Sequence, residues 1–263
     1  MKGMSNYMNI KAYYVYHSCF ILELHSCYMM FDYYKHYNHK DGQDIDFDSL
    51  MENILKSNKA FYIFASHGHG DHFNKKIFEY NSPRTSYILS DDINTNKALN
   101  KSIHLSNELM DNIKFISSGQ FLKLGDLKIN TFSSTDLGLS FIIEAEGTTI
   151  FYAGDLNWWA WPDDTEEEAK YMEDLFKEIL TKIQNAGKSI DIAFFPVDKR
   201  LEQNYDMGAN YFIKNLKPKY FVPMHFGDEF NTTRIFSDKY KNIFPETKIL
   251  TIESVNSILD LLI

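Results

Sequence analysis

The junction between a buried strand and a cluster of histidines restricts this chain more than any other feature. Ala60-Phe61-Tyr62-Ile63-Phe64-Ala65 is an unbroken apolar run, and one residue beyond it the chain reads His67-Gly68-His69-Gly70-Asp71-His72. A continuous apolar run of this length suits a strand covered on both faces, which places it in an α/β architecture rather than on the wet face of an antiparallel sheet. Three imidazoles and a carboxylate within six positions supply the nitrogen and oxygen donors that a divalent cation takes. Gly68 and Gly70 let the backbone fold tightly enough for side chains two apart to converge. A solvated histidine-rich turn is the alternative, but such a turn has no reason to follow a buried strand at once.

The elements around this junction fall into two halves. Tyr13 to Leu22 and Tyr28 to Tyr33 read as paired strands around the polar break Glu23-Leu24-His25-Ser26, and Leu50, Ile54 and Leu55 suggest a short helix. Further strands are expected at Ser86 to Leu89, Asn112 to Ile116, Leu127 to Phe132, Ser140 to Ala145 and Thr148 to Ala153, with turns at Gly125 and Gly147. Met172, Leu175, Phe176, Ile179, Leu180 and Ile183 repeat at helical spacing, so Thr165 to Ala186 should be the clearest helix. Strands at Ile190 to Val197, Tyr220 to Met224 and Lys248 to Ile252 then alternate with helices at Ala209 to Leu216 and Arg234 to Ile243. Two strand runs, each followed by helices, fit an αββα sandwich of two mixed sheets in one domain over residues 1–263, although alternation alone equally allows a doubly wound sheet.

Composition narrows the function classes. Lys and Arg number 27 against 36 Asp and Glu, a formal charge of −9 that disfavours a grip on long nucleic acid. The aromatic share is 16%, with 17 Tyr and 21 Phe, enough to fill a two-sided core. Cys19 and Cys27, the only cysteines, lie in apolar stretches that face one another across a hairpin and read as reduced core thiols. The first residues hold no uninterrupted apolar stretch of leader type, and no later segment reaches membrane-spanning length without charges, so the cytoplasm is the default location.

Ser66-His67-Gly68-His69-Gly70-Asp71-His72-Phe73 matches without a gap the HxHxDH pattern of the metallo-β-lactamase superfamily, which the chain resembles through most of its length. Within it, the chain looks most similar to the branch containing ascorbate-6-phosphate lactonase-like proteins and zinc-dependent hydrolases. The resemblance implies the αββα fold and two divalent ions, zinc in the first instance. His67 and His69 would serve one ion, and Asp71 and His72 the other. Asp155, after Ile150-Phe151-Tyr152-Ala153-Gly154, matches the aspartate that bridges both ions, and His225, after Tyr220-Phe221-Val222-Pro223-Met224, matches the last histidine of the second. Tyr16-His17-Ser18-Cys19-Phe20 resembles the first strand of that branch, and Met30-Phe31-Asp32 its next. His17 then either lines the site, behind the ligands or against substrate, or is a hydrogen-bonded strand histidine.

One departure stands out. Most relatives carry a further histidine for the first ion between the two motifs, where this chain has Phe132-Ser133-Ser134-Thr135-Asp136-Leu137-Gly138. Asp136 is the strong anionic donor of that stretch and the expected replacement, directly or through a water; the duller reading is a turn cap before Gly138. His104 lies too early in the family order. A carboxylate in place of an imidazole shifts preference toward manganese or iron without excluding zinc.

Trp158, Trp159 and Trp161 follow Asp155 closely and fit core packing, a contact in a homo-oligomer, or an apolar wall beside the ions. Asp198, at the end of Phe194-Phe195-Pro196-Val197, either points to the same edge or caps a helix or pairs on the surface. The expected activity is hydrolysis by a metal-activated water, with Asp71 orienting that water and taking its proton, on a small-molecule ester, lactone or phosphodiester. A diiron oxidoreductase and a non-catalytic metal-binding protein are the alternatives on the same fold.

Overall fold

The computed structural model describes residues 9–34, 47–95, 106–255 and 257–263. His104 therefore lies outside the described residues. Strands β1 (Asn9–Tyr16), β2 (Cys19–Glu23), β3 (Cys27–Phe31), β4 (Ala60–Ala65), β5 (Thr85–Ser90) and β6 (Ile113–Ile116) form one sheet, joined at its edge by the last strand of the chain, β14 (Ile258–Leu262), in the order β14-β1-β2-β3-β4-β5-β6. The second sheet runs β13 (Lys248–Ile249), β12 (Tyr220–Met224), β11 (Ile192–Pro196), β10 (Thr148–Tyr152), β9 (Leu139–Ala145), β8 (Leu127–Ser133) and β7 (Phe121–Leu124). In each sheet an antiparallel meander gives way to parallel strands, at β3–β4 in the first and at β10–β11 in the second. Each is thus a mixed sheet.

The sheets face one another through an aromatic layer. The rings of Phe31 and Tyr152 stack at 4.6 Å, Phe20 meets Phe194 at 4.8 Å, and Phe64 meets Phe141 at 5.6 Å. Because side chains alternate across a strand, the neighbours of Phe31 and Phe64, Met30 and Ile63, point the other way, into a second core under helix α1 (Phe47–Lys56) with Met51 and Ile54. On the outer face of the second sheet, helices α4 (Glu166–Asn185) and α5 (Met207–Leu216) cover Phe195, with the ring of Phe212 from α5 4.7 Å from it and Phe176 of α4 against it as well. Helix, sheet, sheet, helix is the expected layering. The connections also include two short helices, α2 (Asp91–Thr95) and α3 (Asn107–Asp111), and a later one, α6 (Asn231–Tyr240).

Helix α4 begins where its sequence says it must. Thr165 accepts from the Glu168 backbone N–H, and the Glu168 side chain takes the Thr165 N–H in return, a reciprocal capping box. Other expectations need correction. The run Tyr13 to Leu22 is two strands, because the chain reverses at His17-Ser18, where His17 adopts a left-handed backbone (φ 55°). The expected last strand, Lys248 to Ile252, shrinks to Lys248–Ile249. The edge strands β7 and β14 carry no expectation at all, since each is short and partly exposed. Cys19 and Cys27 sit at opposite ends of the β2–β3 hairpin, each in a different core layer. Both are free thiols. Among the described residues no helix is long and apolar enough to cross a membrane.

The candidate metal centre

The C-terminal ends of strands from both sheets meet at one rim. His17 follows β1 directly, Asp32 follows β3, Ser66 and His67 follow β4, Asp155 lies just past β10, Asp198 past β11, and His225 follows β12. Strand ends in α/β sheets are natural sites because the chain leaves the ladder there and its side chains become free to converge. Two backbone bonds lock the rims of the sheets together: Leu139 N–H donates to the Ser66 carbonyl at 3.0 Å, and His225 N–H to the His17 carbonyl at 3.1 Å. His17, Asp32 and His225 all hold left-handed backbones, with φ of 55°, 44° and 66°. For residues with a Cβ this conformation is strained, and such strain persists where surrounding contacts impose it.

The side chains fall into two groups of donor atoms: His67, His69 and Asp155 in one, and His17, Asp71, His72 and His225 in the other. Asp155 lies between them. Its Oδ2 is 3.4 Å from His67 Nε2, and its Oδ1 is 3.0 Å from His72 Nε2 and 3.3 Å from His225 Nε2. Asp71 Oδ2 stands 3.6 Å from His17 Nε2 and 3.9 Å from His72 Nε2. His17 thus lies inside the second group, its ring centroid 4.0 Å from that of His225.

The far side of each buried ring is fixed by another residue. His72 Nδ1 donates to Asp32 Oδ2 at 2.7 Å, and His225 Nδ1 to Asp198 Oδ2 at 2.8 Å. Ser66 Oγ gives its single proton to Asp32 Oδ2 at 2.6 Å, so toward His67 Nδ1, 2.9 Å away, it can only accept. The Nε2 of His67 is then a lone pair, and this network assigns the same tautomer to His72 and His225 when they are neutral. Asp32 also takes the Ser66 N–H at 2.7 Å and shares the Tyr152 hydroxyl proton with the Ser18 carbonyl, at 2.9 and 2.8 Å.

This set fits divalent cations. The Nε2 atoms of His17, His67, His72 and His225 and the Oδ1 of Asp155 are all buried without a well-formed hydrogen bond, an arrangement that is costly unless something else takes those lone pairs. A carboxylate behind an imidazole is also how a ligating histidine is oriented. Electrostatics agree. Burial opposes ionisation of Asp155, but the close imidazoles of His225, His67 and His72 outweigh it and hold the carboxyl well below the usual range. The neighbouring His17 ring keeps Asp71 low as well. Burial, with His225 alongside, pushes His17 down to about 4, so its ring is neutral near neutral pH. Burial disfavours charge on His72 too, yet Asp32 and Asp155 outweigh it and lift the imidazole to about 10. The same field that holds a proton there attracts a cation.

Other expected residues separate. Asp136 is exposed and lines the cavity beside the first group without joining it; its own N–H turns back to Ser134 Oγ at 3.3 Å. Trp159 faces the centre, with its ring 5.4 Å from that of His225 and its indole N–H on the Asp155 carbonyl at 2.9 Å. Trp158 turns away, against Phe176 and Tyr211, where its packing is part of the core. Trp161 stacks on Trp159 at 6.0 Å and lines the same cavity. Asp198 holds His225, caps the turn at Lys199–Asn204 and pairs with Arg200. The sequence pointed to Asp155 and His225 by motif order, but gave no role to Asp32, Ser66, Tyr152 or Arg200. Asp32 carried one signal, a carboxylate directly after a fully apolar strand.

Residues 11–225 match the family described as the beta-lactamase superfamily domain. A metal-dependent hydrolase of Staphylococcus saprophyticus is 27% identical over 197 residues, spanning 70% of this chain and 75% of that protein. Among solved structures, the metallo hydrolase Igni18 of the archaeon Ignicoccus hospitalis superposes with a TM-score of 0.67 at 16% identity, covering 96% of this chain and 98% of the other. The diiron β-hydroxylase CmlA of Streptomyces venezuelae gives 0.59 at 11% identity, covering all of this chain (100%) but 55% of its own. Likeness at such identities speaks for the fold alone. With the family match extending over most of the chain and ending on His225 itself, the conclusion is that this chain belongs to the metallo-β-lactamase superfamily of metal-dependent hydrolases.

Proposed function

We propose that the protein hydrolyses a small-molecule carboxylic ester, lactone or phosphodiester at a centre of two divalent ions held by His67, His69 and Asp155 on one side and by Asp71, His72, Asp155 and His225 on the other. The observation that carries this reading is the convergence of unpartnered Nε2 atoms on Asp155, each ring backed by a fixed hydrogen bond. When bound, such ions polarise the scissile group and bring the pKa of an attacking water toward neutrality. Nitrogen and oxygen donors without thiolate suit zinc and also manganese or iron.

The protein's own groups then have distinct tasks. Asp71 is partly exposed at the cavity, unlike the buried Asp155, and it orients the attacking water and accepts its proton at Oδ2. His17 stands beside that oxygen as a neutral ring and either adds a donor to the second group or meets the substrate. Asp32 and Asp198 hold His72 and His225 in orientation. Asp136 acts on the first group through a water rather than directly, in keeping with its exposed place on the cavity wall. Trp159 and Trp161 form the apolar side of the cavity, which limits water around the reacting bond.

Metal analysis of purified protein, combined with hydrolysis of a 4-nitrophenyl ester and of bis(4-nitrophenyl) phosphate, tests the proposal. Turnover of either substrate that is lost with a chelator and restored by metal supports it. Bound metal without turnover of either would favour the non-catalytic reading, and metal-dependent oxygen consumption would favour the redox one.

A further inference from the structure

Arg200 occupies a place that its structural duties do not account for. Its Nε donates to both oxygens of Asp198, at 3.0 and 2.9 Å, and its Nη2 to Asp198 Oδ2 at 2.5 Å. The 3.3 Å approach of Nη2 to His225 Nδ1 is a contact between two donors, since that ring nitrogen already donates to Asp198. One edge of the guanidinium is thus spent on Asp198. The other, Nη1, has no hydrogen-bond partner among the described residues, and the side chain is 60% exposed although its carboxylate partner is buried. A planar guanidinium offers five N–H donors in a fixed fork, so the unspent edge is suited to a planar or tetrahedral oxyanion.

What surrounds that edge matters as much. Arg200 lines a cavity of about 300 Å³ with Trp159, Trp161 and Met172, and it also lines a second cavity on its opposite side with His17, Tyr34 and Phe226. Asp71 and His225 border both. The guanidinium lies 5.8 Å above the ring of Trp161, which stays 37% exposed while stacking nearly parallel, at 10°, on buried Trp159. An exposed indole under a cation with a free edge, both opening on the same cavity as Asp155, presents an apolar shelf ending in an anion-binding group.

We infer that Arg200 selects substrates bearing an anionic group, a carboxylate, sulfonate or phosphate oxygen set, whose apolar portion lies on the Trp159–Trp161 shelf beside the metal centre. The inference rests on the hydrolytic reading of this cavity, and its role is recognition, not proton transfer. Asp198 remains the orienting partner of His225 and places the guanidinium at the same time.

Binding without turnover separates this from the reaction itself. Quenching of tryptophan fluorescence in metal-loaded protein by 4-nitrobenzenesulfonate is compared with that by methyl 4-nitrophenyl sulfone, a neutral relative of similar shape; sulfonates are weak metal ligands, so the preference reports on Arg200. The wild type should bind the sulfonate at least about tenfold more tightly, as a charge-assisted, forked contact allows. Arg200→Gln should bring the ratio close to one, and Arg200→Lys, which keeps charge but loses the fork, should leave it between the two. Trp161→Ala should weaken both probes together and leave the ratio in place. A wild-type ratio near one, or a ratio that survives in Arg200→Gln and Arg200→Lys alike, overturns the proposal and assigns any preference to the bound cations. An intact ratio in a protein that hydrolyses neither test substrate would sink the reaction and not the recognition.

Discussion

His72 Nδ1 lies 2.7 Å from Asp32 Oδ2, and both side chains are fully buried although forty positions separate them in the chain. Asp32 is also the acceptor for Ser66 N–H and Oγ and for Tyr152. One carboxylate therefore orients two histidines of the 67–72 loop, His72 directly and His67 through Ser66. Asp32→Asn should lower metal affinity by about tenfold to a hundredfold, as loss of a partner behind a ligating imidazole does. Asp32→Ala should in addition cost about 3–5 kcal/mol of stability, because it leaves buried donors unpaired. Competition against a chromogenic chelator and urea unfolding read the two effects; normal affinity in Asp32→Asn would show that Asp32 is structural only.

Gly138 sits under the histidine-rich loop with φ +81°, and a Cβ there would come 2.1 Å from the Ser66 carbonyl oxygen and 2.4 Å from His67 Cβ. Gly147 has the same φ with nothing within 4 Å of the added atom. Gly147→Ala should cost about 1–2 kcal/mol, the backbone penalty alone. Gly138→Ala should cost about 3 kcal/mol or more and displace His67, since backbone cannot yield as a side chain can. Equal losses in the two variants would mean that the close approach of β9 to the histidine-rich loop is slack.

Asp136 and Asp71 are separable by metal titration and rate. Asp136→Ala should keep full metal stoichiometry at saturation while binding one ion about tenfold more weakly, the effect of losing a water-mediated partner. Loss of a whole metal equivalent would make Asp136 a direct ligand. Asp71→Asn should lower hydrolysis by about a hundredfold or more with the fold preserved. Unchanged turnover would remove Asp71 from the reaction.

The thiols should be silent in the native protein. Burial raises Cys27 to about 12 and Cys19 further, so neither forms thiolate near neutral pH, and the thiolate is the reactive species. Ellman's reagent should titrate neither cysteine until denaturant is added, then both. Rapid reaction of either in the folded state would mean that its core layer opens readily.

Local sequence determined the histidine-rich loop and the buried strand feeding it, because donor spacing and apolar runs are short-range properties. The capping box at Thr165 and the helical repeat of α4 are legible for the same reason, and the order of Asp155 and His225 after the loop followed from motif resemblance. Packing decided the rest. Nothing near Asp32 announces that it will meet His72, since that contact exists only once β3 and β4 lie side by side in parallel register. Nor does the sequence say which of Trp158 and Trp159 turns to the cavity, because neighbours on one chain diverge according to what each sheet face must bury. The reversal at His17 and the pairing of β14 with β1 are likewise tertiary, the latter joining opposite ends of the chain. Donor identity is written residue by residue, but a centre needs donors a few ångströms apart, and only the register and face-to-face packing of the two sheets sets such distances.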